Sequence, residues 1–215
     1  MADELEDYRE QVIKEYRDQV KKYSQEIRMG DDSTFNYSML FNSYWRLYQF
    51  SSKDDKKPDI DKEVVEKACN QLLLKIKEDI TKGNADAHTY CYLADIYIYR
   101  EDNDKALKCY DKAVALDESC YLNRGDFKNI ELDDREGALE DYNKALAVEK
   151  DPEKIELIKD SIESIDIFRN TDKILAETDK TIRDMKIKSF LIFGALILYI
   201  VFKIYVTVSY THLRA

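Results

Sequence analysis

The residues with the widest chemical range in this chain are four cysteines and two histidines. Cys69, Cys91, Cys109 and Cys120 would serve as disulfide partners or zinc ligands if their spacing brought them together in pairs. No C-x-x-C pair or metal-ligand spacing occurs, and His88 and His212 stand far from each other. The four thiols therefore read as reduced, small residues that help helices pack. Acidic pairs occur at Glu101-Asp102 and Asp133-Asp134. Both fall at turns between helices, where solvated carboxylates act as caps. No Gly-rich phosphate loop, H-E-x-x-H or G-x-S-x-G motif is present. The polar groups lie on outer helix faces and do not converge, so no catalytic residue, metal ligand or cofactor is expected. The chain reads as a non-enzyme.

The elements that carry these residues are helices. Of 215 residues only five are glycine and two proline, too few for the turns of an all-β fold, and 36% are charged. Long stretches of Glu, Lys, Ala, Leu, Ile and Tyr favour an all-α chain. A net charge of -10 argues against nucleic-acid binding, which needs a surplus of Lys and Arg on some face. The opening MADELEDYREQ is acidic and polar, so no cleavable secretory signal is read there.

Residues 3–28 place Leu5, Tyr8, Val12, Tyr16, Val20, Tyr23 and Ile27 at steps of three and four, one face of a helix. Gly30 stops it. A second helix over 34–50 has apolar residues round most of its surface, among them Phe41, Tyr44, Trp45 and Leu47, and should be central. The polar run 51–61, with Pro58, is a loop. Helical spacing resumes over 63–80 through Val65, Ala68, Leu72 and Ile76, and Gly83 closes it.

Tyr90, Leu93, Ala94 and Tyr97, followed by Ala106, Tyr110 and Ala113, form the most informative run. Ala138, Tyr142 and Ala145 repeat its second half at the same mutual spacing, CYDKAVAL becoming DYNKALAV. The pattern resembles the tetratricopeptide repeat, aromatic-x-x-Leu-small-x-x-Tyr and then Ala-x-x-x-aromatic-x-x-Ala. The resemblance covers about 84–150 as two repeats, 84–117 and 118–150, and implies a short α-solenoid of antiparallel hairpins. In the second repeat Gly125 takes the small position, but Gly125 to Ala138 is one residue longer than Ala94 to Ala106. Residues 1–83 form N-terminal helices, in which 34–82 is either a degenerate hairpin with Ala68 in the role of Ala106 or an unrelated helical cap.

Asp151-Pro152-Glu153 marks a strong helix start for a capping and stalk region over 151–188. Its stripe, Ile155, Ile158, Ile162, Ile165 and Phe168, changes phase at Arg169-Asn170-Thr171, so a separate stalk helix is expected from Asn170 or Thr171. FLIFGALILYIVF (190–202) carries no charge, and 189–207 reads as a single transmembrane helix of about 25 Å. Lys180, Arg183, Lys186 and Lys188 precede it, which puts the N-terminal domain in the cytoplasm. The last eight residues, VSYTHLRA (208–215), resemble a translated sequencing adapter. They read as a non-native tail, with the true C-terminus lost.

Repeats of the tetratricopeptide type hold peptides or helices in a groove lined by the first helix of each hairpin. The resemblance therefore implies a partner-binding groove at His88, Cys91, Tyr92, Asp95 and Tyr99, then Leu122, Asn123, Asp126 and Asn129. Tyr92 and Tyr99 are its expected anchors, free of the hairpin core. Cys91 and Asp95 stand where a carboxylate clamp would need Lys and Asn. The expected function is a membrane-tethered scaffold or adaptor for a protein or peptide partner. A second reading is the cytosolic regulatory half of a single-pass signalling or envelope protein, and a third is self-association through the Tyr-rich first helix.

Overall fold

The computed structural model describes residues 2–51 and 60–212, with side chains for 6–51, 60–194 and 197. The described residues are helical throughout and divide into two units, Met1–Ile158 and Lys159–Ala215.

The first unit holds α1 (Ala2–Arg28), α2 (Thr34–Ser51), α3 (Lys62–Lys82), α4 (Ala87–Tyr99), α5 (Asn103–Leu116), α6 (Tyr121–Ile130), α7 (Arg135–Val148) and the start of α8 (Pro152–His212). Local chemistry sets most of these ends. Gly83 closes α3 in the left-handed conformation (φ 73°), which costs a glycine nothing sterically. Asp86 opens α4 with a capping box. Its carboxylate accepts the Thr89 N–H at 2.8 Å, and the Asp86 N–H reaches back to the Thr89 hydroxyl at 3.2 Å. The two acidic pairs do one job twice. Glu101 (φ 58°) and Asp133 (φ 50°) turn the chain in the left-handed region, and Asp102 and Asp134 then cap α5 and α7 by accepting the N–H groups of Lys105 and Gly137.

The helices pair in chain order: α1 packs on α2, α2 on α3, α4 on α5 and α6 on α7. The stripe read on α1 is used inside the unit. Tyr23 is buried edge-on against Phe35, and Tyr16 lies 6.0 Å from Phe50. The Arg9 guanidinium donates twice to the Phe50 carbonyl at the end of α2, where a cation suits the helix dipole.

Two apolar clusters hold the stack. One joins α2 and α3 to α4 through Phe41, Val65, Ala68, Leu72, Ile76 and Ile96. The other joins α4 and α5 to α6 through Ala94, Ala106, Tyr110, Ala113 and Phe127. Side chains as buried as Leu72 or Ile96 contribute about 1.5–3 kcal/mol each. Ala94, Ala106, Ala113 and Ala138 are fully buried, and the small side chains let the paired helices approach closely. An all-α helical solenoid is therefore the architecture of this unit.

A 3-10 turn, Glu118–Cys120, precedes α6. One expectation is corrected: no new helix starts at Asn170 or Thr171, because α8 runs unbroken from Pro152 to His212. The Thr171 hydroxyl donates to the Ile167 carbonyl at 2.8 Å, so its polar group is satisfied within the helix.

In the second unit the helix exposes Ile174, Leu175, Met185, Phe190, Leu191, Ile192 and Phe193. Among the described residues no helix is long and apolar enough to cross a membrane. Most of the side chains in the span expected over 189–207, and those of the tail 208–215, lie outside the described residues.

Candidate functional site

In each of the hairpins α4–α5 and α6–α7 a tyrosine on the second helix reaches a carboxylate on the first. The Tyr110 hydroxyl donates to Asp95 at 3.2 Å, and the Tyr142 hydroxyl donates to Asp126 at 2.8 Å. Each acid follows the small residue of its helix, Ala94 or Gly125. At Gly125 the approach is close enough that an added Cβ would lie 2.7 Å from the Tyr142 ring. Asn42 of α2 donates a second hydrogen bond to Asp95, at 3.2 Å. Burial pushes the Asp95 carboxyl up to about 6, against the opposing pull of Asn42, Tyr110 and the nearby Arg46 charge. Asp126 is raised as well, again by burial.

Both acids face one cleft of about 430 Å³ within the first unit. Asp95 and Ile98 line it from α4, and Asn123, Asp126 and Ile130 from α6. Trp45, Arg46 and Asn42 supply the α2 wall, and Tyr16 and Gln19 contribute from α1. Ile130 is 72% exposed, a large apolar side chain left in water at the cleft. The Arg46 guanidinium lies 5.6 Å from the Trp45 ring centre, a cation–π distance.

The remaining groove positions read from sequence fall elsewhere. His88 and Tyr92 line a separate polar hollow of about 540 Å³ with Thr34, Lys75, Asp79 and Asp86. Tyr99 does not project freely. Its ring packs edge-on against Phe41 and Trp45, and its hydroxyl donates to Glu66 at 3.0 Å. Tyr92 also packs against that apolar cluster. The expectation that the two tyrosines stand clear of the core is corrected, because α2 and α3 cover the face of α4 that carries them. Leu122 lines a third hollow with Leu116, Val148 and Ile158, and Asn129 is half-buried outside the cleft lining.

The sequence reading missed the α1 and α2 contributors, Tyr16, Asn42, Trp45 and Arg46, and the apolar Ile98 and Ile130. It also missed an ion-pair knot behind the cleft. The fully buried Asp141 accepts two hydrogen bonds from Arg124, at 2.7 and 2.8 Å, and an ion pair from Lys128 at 2.8 Å. Arg124 also donates to Asp111 of α5, which ties the two hairpins together. Its hydrogen bond to Asp141 holds the Arg124 guanidinium above its usual value. A signal was available. Asp141 takes in the α6–α7 hairpin the place of Cys109 in the α4–α5 hairpin, and Arg124 takes that of Leu93, so an apolar pair becomes a charged one.

All four cysteines are buried and free. Cys91 and Cys120 share a hydrogen bond that raises the Cys91 thiol and lowers that of Cys120. No group of three His, Cys, Asp or Glu placed to hold a metal occurs among the described residues.

Residues 87–120 match the tetratricopeptide repeat. The match takes in α4, α5 and the 3-10 turn, and ends where α6 begins. No curated protein matches the chain. Repeats of this family generally mediate binding between proteins, through the concave surface their stacking creates.

Proposed function

We propose that the chain is a protein-interaction adaptor whose cleft between α2, α4 and α6 holds a peptide or helix of a partner. The observation that carries the reading is the cleft itself, lined by aromatic, apolar and carboxylate side chains from three successive hairpins, with Ile130 exposed in it. Such a mixture suits a binding hot spot. Of the groove residues read from sequence, Asp95, Asn123 and Asp126 are the ones this proposal keeps.

Membrane tethering is part of the same proposal. Phe190, Leu191, Ile192 and Phe193 are four consecutive residues that go most of the way round α8, and all are exposed. A helix apolar on every side favours hydrocarbon over water. The basic residues before it favour a cytoplasmic N-terminal domain. Tethering would confine partner search to a surface and raise effective concentration.

The test is a pull-down from cell extract with the full chain in detergent, comparing wild type with Ile130→Asp. Ile130 is largely exposed, so the variant should melt within about 1 °C of wild type, as surface changes generally do. Loss of the recovered partners with an unchanged melt supports the cleft. Recovery of the same partners by both proteins assigns the binding face elsewhere.

A further inference from the structure

The cleft carries more negative than positive charge, and its acids are partly withdrawn from water. Asp95, Asp126 and Glu131 line it against Arg46 alone. Among the described residues no ion pair to Asp95 or Asp126 is formed, in contrast to Asp141 behind the cleft, which holds Arg124 and Lys128. Each cleft acid is instead steadied by neutral donors, Asn42 and Tyr110 for Asp95 and Tyr142 for Asp126. The pattern repeats at equivalent positions of α4 and α6, and both carboxylates line the same cleft. Neutral donors orient a carboxylate without neutralising it; the nearby Arg46 charge offsets Asp95 only in part, and among the described residues burial and the Tyr142 hydroxyl alone act on Asp126. The Trp45 ring and the Ile98 and Ile130 side chains border the same space and offer an apolar bed for an aliphatic stem.

Resting on the cleft as the binding face, we propose that its occupant is a basic segment that sets a Lys or Arg side chain against Asp95 and Asp126, its stem on Trp45, Ile98 and Ile130. Charge complementarity selects this occupant over a neutral or acidic one. An acidic segment would bring like charges together in a partly dry space, whereas a guanidinium or ammonium forms charge-assisted hydrogen bonds with groups already held in place. The chain's net charge of -10 would attract such a segment from a distance.

The proposal also implies a pH response. The charged and titratable groups around Asp95 are Arg46 from α2, Tyr110 from α5, Asp126 of α6 with Glu131 at its end, and Tyr16 from α1. Burial holds the Asp95 carboxyl near 6, so it is mostly protonated at pH 5 and mostly ionised at pH 7.5. Lys and Arg of the partner keep their charge across that interval. Binding should therefore tighten as pH rises from 5 to 7.5.

The experiment is panning of a dodecapeptide phage library on the full chain in detergent at pH 7.5, with Ile130→Asp as the comparison. The clones lost on Ile130→Asp are expected to be enriched in Lys or Arg at one position. A synthetic peptide from such a clone should bind about tenfold more weakly when that residue is citrulline or Gln, and also when the chain carries Asp95→Asn with Asp126→Asn. Its affinity should fall by a similar factor between pH 7.5 and pH 5. Asn keeps the acceptor that each tyrosine uses, and a melt of the double variant checks that it is folded. Ile130-dependent clones that are neutral or acidic would overturn the cation inference while leaving the cleft as the binding face. A library yielding no Ile130-dependent clone would overturn both.

Discussion

Gly125 sits where an added Cβ would meet Cε1 and Cδ1 of Tyr142 at 2.7 and 2.8 Å, closer than real contacts allow. Tyr142 is buried and hydrogen-bonded to Asp126, so its ring has little room to retreat. Gly125→Ala should therefore cost about 1–3 kcal/mol and lower Tm by several degrees. An unchanged melt would mean that α6 and α7 are not so close. Asp95 gives a second prediction. Its folded value, near 6, lies above the ordinary carboxylate value of 3.8, so the native state holds its proton more tightly than the unfolded chain. The stability this proton lends is fully present below about pH 4 and is lost as pH rises through about 6. Asp95→Asn removes that loss. The variant should match wild type near pH 4 and exceed it at pH 8 by about 1–2 kcal/mol, allowing for partial exposure to solvent. A stability difference that stays constant across this range would show that Asp95 does not titrate abnormally. The small residues were legible in the sequence because the repeat fixes their spacing. Asp95 was read as a groove residue, but its withdrawal from water was not, since Asn42 and Arg46 reach it from a helix much earlier in the chain.

At the scale of elements, the hairpins were legible and their junctions less so. Ala113 on α5 and Ala145 on α7 are buried. Arg at either position forces a long charged side chain into a helix contact, at a cost of several kcal/mol. A melt of each variant checks this: both should unfold well below wild type, and a wild-type melt at both would refute the repeat register. The acidic turns were read correctly as caps, although sequence could not show that Glu101 and Asp133 take positive φ while their neighbours do the capping. The break expected in α8 does not form. A change of stripe phase alters the face a helix presents and does not by itself end the helix; the Thr171 hydroxyl bonds back to the Ile167 carbonyl within α8 and caps no new start. The same limit explains Tyr92 and Tyr99. Their positions on α4 were fixed by the repeat pattern, but nothing in that pattern said that α2 and α3 would cover them.

For the whole molecule, the adaptor account requires that a partner enter the cleft formed by α2, α4 and α6 and leave the outer helices untouched. Sequence alone supplied Asp95 on α4 and Asn123 and Asp126 on α6, and missed Ile98 and Ile130 on the same helices. The α2 wall was not legible, because residues 34–50 carry apolar side chains on most sides and show no single face to read. Site-specific photocrosslinking tests the central claim most directly. A benzophenone amino acid replaces Asn123, exposed in the cleft, or Asn143, exposed on α7 and outside the cleft lining. Both positions tolerate a bulky group without loss of core packing. The account predicts a crosslinked partner band from position 123, absent from position 143 and weakened when the cleft also carries Ile130→Asp. A band from position 143 with none from position 123 would contradict it.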